Sequence, residues 1–293
     1  MHSMFFVPHF RRDRAIPSKA RPAVILTTYN RPDALRAALQ GYRAQDTVDF
    51  ELIIADDGST AATRGLVEDF ARRVPFELRH VWQEDRGFRA SAARNRALAA
   101  TGAAYVIFSD GDCVPPRDFV SRHLALAEPG YFLAGNRVLM SDAFTQAVLQ
   151  RHTPVHEWSN ARWLLAWLRR DINRALPLIR LPDGAFRKIA TRRWEGVKTC
   201  NFSAWRADLV RVNGFDERYS GWGLEDSDLV IRLLRAGVRH KSARFSAPVI
   251  HLWHAENDRS QLAENRNRLD DILASDRITA LDGLDRYLES QTV

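Results

Sequence analysis

The sequence predicts an α/β fold in which a mostly parallel sheet carries helices on its faces. Short apolar runs recur along the first half, each ends in a polar turn rich in Asp, Gly, Asn or Pro, and a helical pattern follows the turns. That alternation is the signature of strands feeding crossover helices. A chain of 293 residues, 45% hydrophobic and 27% charged, is long enough to bury such a sheet.

The elements follow in order. Ala23 to Leu26 is a buried run that passes into Thr27-Thr28-Tyr29-Asn30-Arg31. Pro32 suits the first turn of a helix, and Leu35, Ala38, Leu39 and Tyr42 continue at helical spacing. Phe50 to Ala55 forms the second strand, broken by Asp56-Asp57-Gly58-Ser59-Thr60, with a helix expected over Thr63 to Arg73. A third strand is expected over Phe76 to Trp82 and a helix over Gly87 to Ala100. Ala103 to Ser109 then leads into Asp110-Gly111-Asp112, where Gly111 frees the backbone to turn and Pro115 and Pro116 end the strand. Beyond it the alternation weakens to a helix over Phe119 to Ala127, a strand over Tyr131 to Met140, a helix through Leu229, Leu233 and Leu234 that Gly237 ends, a strand over Phe245 to Ile250, and polar helices from Asn257 to Leu288. The expected organisation is a basic segment 1–22, a nucleotide-binding α/β half 23–140, an acceptor-binding half 141–256 with a basic amphipathic insertion 162–194, and C-terminal helices 257–293.

In a parallel sheet the loops after Leu26, Ala55 and Ser109 share one edge, where open α/β sheets bind ligands. Tyr29, Asp56, Asp57, Asp110 and Asp112 therefore converge. A polar turn alone explains Asp-Gly-Asp, and helix capping alone explains Asp56 or Asp57. The chemical reading of the set is a nucleoside diphosphate site. The ring stacks a base, one carboxylate accepts from it, and Asp110 and Asp112 share a hard divalent cation that also takes phosphate oxygens. At least one of Arg89, Arg94 and Arg96 is expected to face that anion, with the others solvated. Gly221-Trp222-Gly223-Leu224-Glu225-Asp226 is the second constellation. Its glycines admit a sugar to the backbone, Trp222 offers an apolar face to a pyranose ring, and a helix start fixes the two carboxylates. His251 and His254 end an apolar run and both reach one ion only if the strand breaks between them.

A formal net charge of +7 and a sequence pI near 9.8 favour polyanions, nucleotides or an anionic membrane face. Basic residues from Arg162 to Arg193 alternate with Trp163, Leu164, Trp167, Leu168, Leu176 and Ile179, a composition that suits an anionic membrane surface or an acceptor-site helix packed on the body. Cys113 and Cys200 are too few and too far apart for a secreted disulfide framework, so a reducing compartment is expected. No apolar run approaches 18 residues, and Met1 to Pro8 is too short and too quickly charged for a signal peptide. These readings give a cytoplasmic chain, peripheral on the inner face of the cytoplasmic membrane.

Thr27 to Arg31, Asp56-Asp57-Gly58-Ser59, Gly87-Phe88-Arg89 with Ala93-Arg94-Asn95, and Asp110-Gly111-Asp112 stand in the order and spacing of family 2 glycosyltransferases, which this half of the chain resembles. The resemblance implies a GT-A fold, a Rossmann-like nucleotide-binding sheet, and a nucleotide-sugar donor used with inversion. It places Thr27, Tyr29 and Asp56 or Asp57 on a uridine and adds Arg31, Arg89 and Arg94 to the donor site. Asp110 and Asp112 become the DXD pair for Mn²⁺ or Mg²⁺. Thr199 to Arg206 and the Trp-Gly-x-Glu-Asp block resemble the C-terminal half of galactosyltransferase-like and chondroitin-polymerase-like enzymes. That likeness makes Asp226 the base, gives Glu225, Trp222 and Gly223 sugar-binding roles, and completes the metal site with a histidine, His251 in preference to His254. The expected activity is transfer from a UDP-sugar to a glycan or lipid-linked acceptor, with the lipopolysaccharide core as one such acceptor. A nucleotidyltransferase and a basic nucleic-acid-binding protein are the competing classes. The first has no use for Gly-Trp-Gly-x-Glu-Asp, and the second is indifferent to metal.

Overall fold

The structure, a computed structural model, describes residues 21–256 and 258–288. All of the basic segment 1–22 except Arg21 and Pro22 lies outside the described residues, as do Asn257 and the last residues of the C-terminal segment.

The first half runs β1 (Ala23–Thr28), α1 (Pro32–Arg43), β2 (Glu51–Asp56), α2 (Ala61–Ala71), β3 (Glu77–Trp82), α3 (Ala90–Ala99) and β4 (Tyr105–Asp110). It continues through β5 (Cys113–Val114), α4 (Phe119–Leu126), β6 (Tyr131–Ala134), β7 (Arg137–Leu139), α5 (Asp142–Gln150) and α6 (Asn160–Leu168). The remainder is β8 (Asn201–Trp205), α7 (Arg206–Arg211), α8 (Glu225–Arg235), β9 (Arg239–Ser242), β10 (Val249–His251), α9 (Leu262–Ala274) and α10 (Asp285–Leu288). Seven strands form one sheet in the order β3-β2-β1-β4-β8-β6-β9, and β5-β10-β7 form a second. Strands β3, β2, β1 and β4 are mutually parallel, and β8 enters antiparallel between β4 and β6.

Side-chain alternation sorts the strand residues onto two buried faces. Val24 and Leu26 of β1 and Leu52 and Ile54 of β2 pack with Leu35 and Leu39 of α1, Leu66 and Phe70 of α2 and Phe119 of α4. Ile25, Ile53, Val106 and Phe108 face the other way, onto Ala93 and Ala97 of α3 and Leu229 and Leu233 of α8. Strand order therefore reverses between β1 and β4 as the crossover helix changes face from α1 and α2 to α3. This is the switch point at which a doubly wound sheet opens a crevice.

Three sequence expectations are corrected. The single strand over Tyr131 to Met140 is two strands in different sheets, parted at Gly135-Asn136. Asn201 imposes the break: its side chain fills the space a Cβ at Gly135 needs, its Nδ2 donates to Asn136 O at 2.8 Å and Ala247 O at 2.6 Å, and its Oδ1 pairs with His123 Nε2 at 3.1 Å. The strand over Phe245 to Ile250 shortens to β10, because the chain turns through hydrogen bonds from Ser246 N and Ala247 N to Ala243 O. Finally, the chain does not leave the sheets after Asp112. Cys113 and Val114 pair with His251 and Ile250.

The segment 162–194 is not one amphipathic helix. Only α6 is α-helical, followed by 3₁₀ turns at Leu176–Leu178 and Ala185–Lys188. Arg187, part of its basic composition, is buried and donates to the carbonyls of Leu181, Pro182, Ser242 and Arg244.

Replacing Asn201 with Ala leaves the Asn136 and Ala247 carbonyls and His123 Nε2 without this partner, while Ser203 Oγ still pairs with His123 Nδ1, an expected loss of roughly 2–4 kcal/mol. Denaturant unfolding of Asn201→Ala beside the unaltered chain measures it, and a loss below about 0.5 kcal/mol would contradict the bracing role.

Candidate active site

Arg94 stands at the switch point. It projects from α3, is buried to 5% exposure, and reaches three elements with one guanidinium. Nε donates to Thr27 Oγ1 at 3.1 Å, Nη2 to Asp110 Oδ1 at 3.3 Å and Nη1 to Glu225 Oε1 at 3.2 Å. The Phe215 ring lies against it, 5.3 Å from guanidinium carbon to ring centre. Burial alone would loosen its proton, but Asp110, Asp226 and Glu225 outweigh that and hold Arg94 above its ordinary range. Burial also raises Asp110 and Glu225; Arg94 opposes it in both, while Asp226 adds to it in both. Four charged groups thus share one cleft. Of the three arginines, Arg94 is the one that reaches into this cleft, and it is buried. Arg96 is exposed and stacks over Tyr287, and half-buried Arg89 turns its guanidinium to Glu84 O.

Asp112 organises the neighbouring corner. Its Oδ1 lies 3.7 Å from His251 Nε2, and its Oδ2 lies 3.5 Å from both His254 Nε2 and Arg31 Nη1. Strand β10 ends at His251, and the chain then folds back far enough to bring the two imidazole centres within 5.3 Å. Both histidines therefore stand beside the same carboxylate, and His251 is the one that also groups with Cys113, the three ligand atoms lying within 4.8 Å of one another. Burial lowers the His251 pKa, leaving the neutral imidazole that metals bind. Oxygen and imidazole ligands of a common ion sit about 3 Å apart, so this set fits a divalent cation with small adjustment. Gly111 makes the turn: its N–H donates to Thr27 O at 2.7 Å, and a Cβ there would stand 2.9 Å from Thr28 Oγ1. The two cysteines, remote in sequence, meet beneath Asp110, with both thiols and a carboxylate oxygen within 4.8 Å of one another.

At the nucleoside end Tyr29 is 46% exposed and donates from its hydroxyl to Asp85 Oδ2 at 2.8 Å. Asp56 is fully buried, accepting from Ser59 N at 2.8 Å and pairing with His80 Nε2 at 2.7 Å. Burial pushes Asp56 up, but His80 and Ser59 prevail and hold it below the usual range. Asp57 accepts from Gln83 Nε2 and Arg89 N, each at 2.6 Å. Both carboxylates brace the loops that form the wall. Asp85 was missed by sequence reasoning. Its signal was its place in the loop after the third parallel strand, on the same edge.

On the opposite wall Leu224 adopts φ +77° and turns the chain into α8, whose first residues are Glu225 and Asp226. Asp226 is 8% exposed, and Thr199 Oγ1 donates to its Oδ1. Asp228, two residues on, is sealed against Arg232 at 2.6 Å. Half-buried Trp222 carries the Arg259 guanidinium 4.9 Å from its ring centre. Gly223, at φ +104°, is held by Asn265 Nδ2, which donates to Ser220 O at 2.9 Å and Gly223 O at 3.1 Å. The polar α9 thus has a task that composition hid: it anchors the Trp222 loop.

The model of "Glycosyl transferase family 2" matches residues 23–187, more than half the chain. The chain belongs to glycosyl transferase family 2. Residues 187–255 of this glycosyltransferase match "N-terminal domain of galactosyltransferase". It is 32% identical over 224 residues to validoxylamine A glucosyltransferase of Streptomyces hygroscopicus subsp. limoneus, covering 74% of this chain and 48% of that one. To chondroitin synthase of Escherichia coli it is 26% identical over 241 residues, covering 75% and 33%. The glycosyltransferase spans about half or less of the length of these relatives. Its fold is that of GT-A glycosyltransferases. S. aureus TarS 1-349 in complex with UDP superposes with TM-score 0.59 at 15% identity, covering 91% of this chain and 68% of that one. Mannosyltransferase PcManGT from Pyrobaculum calidifontis, in complex with GDP-Man and Mn²⁺, gives TM-score 0.56 at 20% identity, covering 89% and 64%.

Arg94→Ala strips the charge that Asp110 and Glu225 share. Breaking a buried pair in this way is expected to lower the unfolding free energy by roughly 3–5 kcal/mol. Thermal and denaturant unfolding measure it, and a change under about 1 kcal/mol would show that water already compensates these carboxylates.

Proposed function

We propose that the glycosyltransferase is a metal-dependent inverting enzyme that moves a sugar from a nucleotide-sugar donor, UDP-linked, to a glycan or lipid-linked acceptor of the lipopolysaccharide-core kind. The observation that carries this reading is the Arg94 bridge: one guanidinium joins Asp110 on the donor side to Glu225, the neighbour of Asp226, on the acceptor side. Thr27, Tyr29 and Arg31 line the nucleoside and diphosphate path, with Asp56, Asp57 and Arg89 shaping its wall. Asp110, Asp112 and His251, with His254 alongside, would hold Mn²⁺ or Mg²⁺, which supplies positive charge for the diphosphate leaving group. UDP in the TarS complex supports a uridine donor, and GDP-Man with Mn²⁺ in the mannosyltransferase complex supports a nucleotide-sugar donor held with a divalent ion.

Asp226 is the base. Thr199 fixes one of its oxygens, which leaves Oδ2 to accept the proton of the acceptor hydroxyl. The freed oxygen attacks the anomeric carbon from the face opposite the diphosphate, so configuration inverts in a single displacement. Glu225 is tied to Arg94, and Trp222 and Gly223 present an apolar face and open backbone to the sugars. Arg94 stays charged throughout and steadies the phosphate oxygens as negative charge develops. The proposed location is cytoplasmic, at the inner face of the cytoplasmic membrane.

Asp226→Asn is expected to cut transfer by about 10²–10⁴-fold with donor affinity nearly unchanged. Loss of donor binding in this variant would move Asp226 to the donor site. Asp112→Ala is expected to weaken nucleotide binding only when Mn²⁺ is present, read by calorimetry with and without EDTA; affinity equal to that of the unaltered chain in Mn²⁺ would remove Asp112 from the metal site. A panel of nucleotide sugars assayed for hydrolysis separates the competing classes. Nucleotidyl transfer from a nucleotide sugar releases sugar 1-phosphate instead of free sugar, and a nucleic-acid binder turns over nothing.

A further inference from the structure

One surface of the molecule has no role in the cleft. Among the described residues, large apolar side chains exposed to solvent concentrate between positions 164 and 189. On α6, Leu165 and Leu168 are 54% and 63% exposed, joined by Leu164 and Trp167, and Leu176 on the following turn is 62% exposed. These residues are not the helix's inward face. Trp163 and Ala166 of α6, with Ile172 and Leu178 after it, already pack into a single core cluster. The segment is thus apolar on both sides, and its outer side covers nothing among the described residues.

Charge identifies what it meets. Arg169, Arg170 and Arg174 are exposed beside this apolar ridge and form no ion pair with another described residue. An apolar ridge fringed by unpaired guanidinium groups matches a surface that is hydrocarbon within and anionic at its boundary, whereas a partner protein of ordinary composition does not require the fringe. No helix among the described residues is long and apolar enough to cross a membrane, and α6 has nine residues. We infer that the ridge of α6 and Leu176, with Arg169, Arg170 and Arg174, docks on the surface of an anionic lipid bilayer, its leucines and Trp167 lying among the acyl chains and its arginines at the phosphates.

The docking lobe also supports the reaction corner. The core cluster under α6 includes Val114, Ile250 and Leu252, beside Asp112 and His251. A lipid-linked acceptor would therefore be met on the lobe that carries the metal ligands; this last step rests on the proposed glycosyl transfer, whereas the docking does not.

Flotation of the full chain with vesicles tests the docking. Vesicles containing phosphatidylglycerol are expected to carry the protein upward at low salt, and pure phosphatidylcholine vesicles are not. Arg169→Glu with Arg170→Glu, and separately Leu165→Ser with Leu168→Ser, are expected to reduce the floated fraction roughly tenfold or more. All four positions are exposed, and unchanged thermal unfolding verifies the fold. The inference is overturned if the unaltered chain stays with the soluble fraction, if both variants float like it, or if sedimentation shows the leucine variant losing a dimer instead. Binding that appears only after residues 1–20 are removed would assign the ridge to that segment and overturn it too. Hydrolysis of nucleotide sugar by the same variants in solution is read independently, so failure to float and failure of the catalytic reading are distinct results.

Discussion

A buried positive charge is costly unless its surroundings supply negative charge and acceptors. Arg94 meets that requirement with Thr27 from β1, Asp110 from β4 and Glu225 from α8, and much of the architecture around the cleft serves to bring those three together. The antiparallel β8 separates β4 from the later strands, Thr199 just before it reaches Asp226, and Phe215 closes the guanidinium from below. The dependence is mutual. Asp110, Glu225 and Asp226 would repel one another in a half-dry cleft without the cation between them.

Strands β1, β2 and β4 were legible because each is buried on two faces, so four to six apolar residues stand unbroken before a turn signal, whereas β3 is only half-buried and carries no such run. The split at Gly135 was not. It depends on hydrogen bonds from Asn201, far along the chain, and local pattern carries no trace of such a partner. Strand β5 was hidden for the same reason, since two residues ahead of a proline pair become a strand only when β10 arrives.

Within the site, residue type and edge position were enough to gather Tyr29, Asp56, Asp57, Asp110 and Asp112, while Glu225 and Asp226 stood out only through their Gly-Trp-Gly block at a helix start. Type and position were not enough to divide labour among carboxylates. Asp56 and Asp57 look alike in sequence, yet His80 and Ser59 occupy one and Gln83 and Arg89 the other. Nor does composition distinguish Arg187, satisfied by four carbonyls in the interior, from Arg170 on the surface. The difference between them is entirely one of tertiary surroundings.

The pairing of β5 with β10 has a consequence in time. During synthesis the first 110 residues already contain every strand of the parallel core, although one face of it waits for Phe202, Phe215 and Leu229 to cover it. The short strand after Asp112 has no such local partner: its ladder is completed only by Val249–His251. A nascent chain therefore has an unfinished corner at β5 until Val249–His251 has emerged. Premature termination before Val249 leaves that corner open however sound the sheet beneath it.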